Sequence, residues 1–323
     1  MKHSRLRMPV WLTDCLGLAC ALALLVVIFS LSTDHFFSIA TFRTLASQIP
    51  DTMIMAVGMT FVLIIAGIDL SVGSVMALSG AVMGVLLDKC GVPLVPAMAA
   101  CIGVGLLCGL TNGLLVITWT LPSFIVTLGM LEIARGGAHM VTRSRTLYVS
   151  DYLEVITDTT VLGFPLPFLV AVFVVLSAQF ILSRTVFGRY MVAVGTNEEA
   201  ARLSGIDTRL IKLTVFAICG VLCAVAAVIH TARYQASPGN GKGMELQVIA
   251  AVVIGGTSLM GGRGSVINTF FGVLIIKVLS AGLAQMGAQE TTKRLTTGCV
   301  IVAAVILDYY RRRLRKAKTG AAQ

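Results

Sequence analysis

Apolar runs of about 18 to 22 residues recur along almost the whole chain, separated by short stretches carrying Gly, Pro or charge. Each run is continuously apolar rather than alternating. It therefore predicts a helix that crosses a hydrocarbon core of roughly 30 Å, and it excludes a β-barrel. The punctuation places spans near 10–31, 48–66, 70–87, 93–117, 123–142, 165–183, 211–231, 245–258, 265–285 and 294–309. The expectation is an all-α polytopic membrane protein of about ten transmembrane helices, forming one transmembrane domain over residues 1–323. Gly67 to Gly73 interrupts its run and is the candidate for a broken or re-entrant helix.

Composition sharpens this picture. Hydrophobic residues make up 57% of the chain and charged residues 12%, which leaves no room for a sizeable soluble domain. The net charge of +10 does not point to nucleic acid, because the basic residues sit at membrane flanks. With the N-terminus in the cytoplasm, Lys2, Arg5, Arg7, the group from Arg184 to Lys212, Arg263 and the run from Arg311 to Lys318 all fall inside. That asymmetry satisfies the positive-inside rule and puts the basic tail 310–323 in the cytoplasm as well. The first apolar run is too long for a signal-peptide core and has no clear cleavage site after it, so an uncleaved first span is expected. The outer segment from Arg143 to Phe164, with Asp151, Glu154 and Asp158, is the longest loop on that face, suited either to docking or to simple connection.

The candidate chemistry is sparse. Seven of the eight cysteines lie inside apolar runs, where Cys is a small packing residue, and neither a disulfide nor a metal site is expected. Neither a P-loop nor a metalloprotease motif is present, His139 and His230 are isolated and each reads as a satisfied bundle residue rather than a base or ligand, and no catalytic set or cofactor is expected. Asp69 is followed by Ser71 and Ser74, which suits a helix cap better than a gate. Glu132 and Arg135 are three apart on a helix and are expected to neutralise one another. Lys277 lies within a membrane run and faces either an end or an internal cavity. Asn112, Thr127, Gln179 and Asn268 supply donors and acceptors for helix contacts or for a polyol path, of which Asp69, Ser71, Asn112 and Asn268 are the candidate gate and path residues. Gly105, Gly109 and Gly113 form a small-residue ladder, echoed by Gly80 and Gly84, suited to close helix packing within one subunit. The segments 66–75 and 255–266 share a Gly- and Ser-rich pattern after an apolar run, either an internal repeat of broken helices or two ordinary turns.

One polar stretch stands apart, TVFGRYMVAVGTNEEAARLSGIDTRLIK, from Thr185 to Lys212. Within it, Thr196-Asn197-Glu198-Glu199-Ala200-Ala201-Arg202-Leu203-Ser204-Gly205 reads as a short helix. Asn197 suits the N-cap, the two acids suit the positive end of the dipole, and Gly205 suits a left-handed stop. On composition alone, the stretch is either a partner-docking element or a solvated turn anchored at the membrane by Arg202 and Arg209.

Three ordered blocks carry a resemblance: AGIDLSVGSVMALSGAVMG (66–84), GRYMVAVGTNEEAARLSGI (188–206) and VIAAVVIGGTSLMGGRGSV (248–266). Together they resemble the ribose-type sugar permeases (ribose, xylose, arabinose, galactoside) of bacterial ATP-binding-cassette importers, over about residues 49 to 308. The resemblance implies a multi-pass inner-membrane subunit with a coupling loop at about 184–211. It also implies a cytoplasmic ATPase partner, a periplasmic sugar-binding protein and a second permease protomer, a homodimer or a paralogue, in the lipid bilayer. The alternative from another class is a stand-alone ion-coupled transporter or channel, which would use intramembrane acid or His relays.

Overall fold

The computed structural model describes residues 10–306 apart from 34, 35, 162, 290, 294, 301, 304 and 305. Its centre is α3 (Pro50–Ile64), in which every residue is buried. α3 is entered from α2 (Ile39–Gln48) through a bend of 44° at the Ile49–Pro50 step, where the proline takes the first helical position and has no N–H to lose. α1 (Val10–Ser32) precedes this pair in the chain, and α4 (Val72–Asp88), α5 (Leu94–Thr118) and α6 (Ser123–Thr142) come after it. They are followed by α7 (Ser150–Asp158) and α8 (Leu166–Arg184), then the short helices α9 (Val186–Thr196) and α10 (Glu198–Leu203). α11 (Thr208–Tyr234), α12 (Met244–Ile254) and α13 (Val266–Gln285) come next, and residues 291–293, 295–300, 302, 303 and 306 are helical beyond them. A two-residue antiparallel pairing, β1 (Thr160–Val161) with β2 (Phe164–Pro165), interrupts the otherwise helical chain.

The helical reading of the apolar runs stands, with corrections in detail. Among the described residues, six helices are long and apolar enough to cross a membrane, or seven if the bent α2–α3 pair forms one span. α4 and α12, of 17 and 11 residues, are shorter. The run at 245–258 is helical only to Ile254, because Gly255 and the left-handed Gly256 open a turn there. The last anticipated span, 294–309, lies partly outside the described residues, and the basic tail lies wholly outside them.

α11 is the hub, packed on α3, α4, α5 and α7. The glycine ladder faces it. A Cβ on Gly105 would strike the carbonyl of Gly220, one on Gly109 would strike that of Phe216, and Gly113 meets Leu213. Gly80 lies against Thr231, and Gly84 against Ala236 just past the end of α11. All five expected packing glycines therefore serve contacts inside one protomer. Dispersion and close backbone approach drive such contacts where lipid offers no hydrophobic gain.

At the end of α11 far from α9 and α10, Leu147 and Ala236 exchange backbone hydrogen bonds of 3.0 and 3.1 Å. Val149 N–H donates to Gln235 Oε1 at 2.7 Å. These bonds pin the 143–165 loop, whose helix α7 buries Leu153 and leaves Asp151, Glu154 and Asp158 exposed.

Candidate functional site

The polar segment folds into two helices, one more than the sequence pattern indicates. Thr185 caps α9, accepting from Gly188 N–H at 3.2 Å, and Asn197 ends α9 while capping α10, accepting from Ala200 N–H at 3.0 Å. Glu198 and Glu199 occupy the first turn of α10, Gly205 ends it at φ +82°, and Asp207 caps α11 through the N–H groups of Arg209 and Leu210. Four local chain reversals are thus specified by their own residues. Glu199 pairs with Arg202 at 2.7 Å, and Glu198 pairs with Lys212 at 2.6 Å, tying α10 to the start of α11. Thr196, Asn197 and most of α10 are exposed. Only Ala201 turns inward, while Leu203 projects apolar surface at 80% exposure. A shallow concavity of about 330 Å³, floored by Ala193, Ala200 and Ala201, lies between α9 and α10. The two helices form an exposed, capped knob with a polar rim and one apolar tip.

α9 joins that knob to the membrane core. Its Gly195 lies on the carbonyl of Ile64, the last residue of α3, where a Cβ would overlap. The same carbonyl accepts from Gly262 N–H at 2.8 Å. Gly261 and Gly262, at φ +82° and +72°, lie against Ala66 and Thr196, and Ala66 itself has φ +60°. The two Gly- and Ser-rich breaks therefore meet each other and the end of α9 at one point, a convergence that their shared sequence pattern does not reveal.

The first break is held from α6. Ser123 Oγ accepts from Ile68 N–H at 2.9 Å, and Thr127 Oγ1 accepts from Leu70 N–H and donates to Ile68 O, both at 3.1 Å. Non-helical backbone inside a membrane protein needs such partners. Asp69, 3% exposed, accepts through Oδ1 from Ser71 N–H at 2.9 Å and from Ser71 Oγ at 2.6 Å. Its carboxylate closes the turn one step ahead of α4, while Ser71 occupies the cap position itself. Asn112 Nδ2 donates to Ser71 Oγ at 3.1 Å, and Asn112 Oδ1 is buried without a partner among the described residues. Three of the four candidate path residues thus form one chain. Asn268 stands apart on α13, with its Oδ1 accepting from Cys15 Sγ at 3.1 Å. Gln179 caps α13 by accepting from Val266 and Ile267.

An Asp69→Asn protein should keep near-normal thermal stability, because an amide oxygen accepts both Ser71 bonds. Asp69→Ala should lose roughly 1–3 kcal/mol by stranding two buried donors. Thermal unfolding in detergent checks both, and equal losses for Asn and Ala would show that the charge itself matters.

One expectation about charge is corrected. Arg135 does not neutralise Glu132. Its guanidinium turns inward and donates to Ser74 Oγ at 3.0 and 3.2 Å, while Glu132 points outward from α6 and forms no ion pair among the described residues. His230 is a satisfied bundle residue, as expected: its Nδ1 pairs with Asp51 Oδ2 at 2.6 Å. Asp51 is 4% exposed, Lys277 of α13 is within electrostatic reach of it, and Arg233 lies near Lys277 and donates to the carbonyl of Ser47. Sequence reading missed Asp51 because it sits beside Pro50 and looks like a helix-start residue; only the packing of α3 against α11 and α13 brings the group together. His139 is exposed beside Ser144, 3.1 Å away.

A bundle of apolar helices around two broken ones, with a capped helical knob fixed to the break, defines a membrane transport subunit. The chain belongs to the family described as branched-chain amino acid transport system / permease component, whose profile matches residues 41–305. It is 37% identical to the ribose import permease protein RbsC of Escherichia coli K12 over 304 residues, 92% of this chain and 94% of that one. It is 35% identical over 310 residues to the fructose import permease protein FrcC of Rhizobium meliloti, covering 91% of this chain and 86% of that one. It is also 37% identical over 300 residues to the D-allose transport system permease protein AlsC of Escherichia coli K12, 91% of each. Its fold is similar to that of a transporter assigned to the metal-chelate ABC type, solved facing inward, with TM-score 0.53 and 12% identity over 92% of this chain and 99% of that one.

Proposed function

We propose that this chain is the membrane-spanning subunit of an ATP-binding-cassette importer that carries a ribose-like monosaccharide across the bacterial inner membrane. The chain performs no catalysis; a separate cytoplasmic ATPase subunit supplies the energy. About ten spans with both termini in the cytoplasm place the α9–α10 knob inside and the 143–165 loop outside. A periplasmic sugar-binding protein docks on the outer loop, and two permease protomers share one path. The observation that carries this reading is mechanical. The capped, exposed α10 is continuous through Gly195 and Thr196 with both membrane breaks, so a push on the knob reaches Ile64, Ala66 and Gly262 without slack. Residues 196–205 are the coupling element, and the Asp69–Ser71–Asn112 chain lies behind the break that it moves.

The buried Asp51–His230 pair is the kind of feature a stand-alone ion-coupled transporter would use. Relation to import permeases over nine-tenths of the chain favours the importer. Gly205→Trp separates the two. Nothing lies within 4 Å of a Cβ there, so the ring projects outward into whatever grips α10. The left-handed backbone costs the fold only about 1–2 kcal/mol. Sugar uptake by membrane vesicles should fall to background while the chain inserts normally, and Gly205→Asn, which tolerates the same φ, should retain most uptake. Normal uptake by the Trp protein would remove the coupling assignment. Recovery of an active transporter without a co-purifying ATPase would turn the reading to the ion-coupled class.

A further inference from the structure

α6 is 20 residues long and apolar enough to span, and its outward stripe carries Ile125, Leu128, Gly129, Ile133, Gly136 and Met140 around Glu132. Glu132 is the tenth of those 20 residues, at the middle of the span. Its neighbour Arg135 is committed to Ser74, and no other cation pairs with it among the described residues. The outward face of α8 exposes Phe173, Leu176 and Phe180, each by at least 60%, with no charged residue among them. An ionised carboxylate at that depth in hydrocarbon costs about 2.5–3.5 kcal/mol, and acids in spans face a bundle interior or a water-filled cavity. The stripe of α6 is therefore not a lipid face.

We propose that this stripe lines the sugar path where the chain meets a second copy of itself, and that Glu132 offers its carboxylate to sugar hydroxyls midway across the membrane. The inference rests on the importer reading above and adds the wall of the path to it. A two-fold axis brings the same stripe from both copies face to face. Two carboxylates that both stay ionised repel one another and favour water between them. Gly129 and Gly136 have nothing within 4 Å of their missing Cβ atoms, which leaves room beside Glu132 for a ring-sized solute. A carboxylate accepts only, a sugar presents several O–H donors, and charge-assisted bonds are the stronger kind. Such a wall favours a neutral polyol and repels anions.

The test uses vesicles holding the full complex of this chain with its ATPase, and single cysteines introduced at 129, 132, 136, 176 and 180. A charged, water-soluble methanethiosulfonate is applied, and labelling is read peptide by peptide so that the native thiols serve as background. Cysteines at 132 and 136 should label at least about tenfold faster than those at 176 and 180, and D-ribose should slow them. Labelling at 132 as slow as at 176 would overturn the proposal. Uptake of labelled D-ribose, D-allose and D-fructose gives the second readout. Glu132→Leu should raise the apparent KM about tenfold at unchanged protein level, with Glu132→Gln between the two. Unchanged uptake by Glu132→Leu would equally overturn it. Failure of the unaltered complex to take up any of the three sugars on ATP would sink the importer reading instead, and the labelling pattern would still decide whether the stripe is hydrated.

Discussion

A Gly195→Val protein is expected to lose sugar uptake entirely and to unfold in detergent with at least about 3 kcal/mol less stability than the unaltered chain. The physical reason is that nothing at this position can move aside. The space a Cβ would take is filled by the carbonyl of Ile64 and the N–H of Gly262, both backbone groups. That carbonyl is also the acceptor for Gly262, at 2.8 Å, so displacing it breaks a bond that holds the two membrane breaks together. A buried carbonyl left without its donor adds roughly 1–3 kcal/mol to the steric cost. Gly103→Ala is the control: nothing lies within 4 Å of its missing Cβ, and it sits inside α5. It should be neutral, or stabilising by up to about 1 kcal/mol from helix propensity. Native stability and native uptake in the Gly195→Val protein would show that α9 is not fastened to the breaks.

The second large effect is expected at Asp51. Replacing it with Ala leaves His230 and Lys277 in the bundle without their acid, and removing one member of a buried ionic group costs about 3–5 kcal/mol. Thermal unfolding of the purified protein measures this, and Asp51→Asn should fall between Ala and the unaltered chain because its amide oxygen still accepts from the Thr52 N–H. Adding Lys277→Met to Asp51→Ala should recover part of the loss, since the stranded charge is then gone as well. A double variant no more stable than Asp51→Ala alone would mean that Lys277 is not part of the group.

The segment that carries the coupling reading was legible residue by residue. Asn197 as cap, Glu198 and Glu199 in the first turn, and Gly205 in the left-handed region follow from local hydrogen-bonding and steric rules. Those rules operate within four or five residues, so a linear pattern suffices. α9 was not legible, because Gly188, Arg189 and Gly195 break up its apolar residues and merge it with the polar stretch that follows. The partner of Arg135 was not legible either. Sequence spacing offers Glu132 three residues away, yet Ser74, 61 positions away, is where the packing of α4 on α6 puts an acceptor.

The sequence by itself determined that this is a helical, multi-pass membrane protein, where most of its helices run, and which short segment is exposed and capped. Hydrophobic length and local capping are one-dimensional properties. Only the tertiary structure decided that the two Gly-rich breaks touch, that Gly195 locks α9 onto them, that Asp51 and His230 pair across 179 positions, and that Glu132 faces outward alone. Each of these depends on which faces of which helices meet. In a chain this uniformly apolar, the hydrophobic pattern scarcely distinguishes one face from another; small residues and backbone hydrogen bonds settle the packing instead.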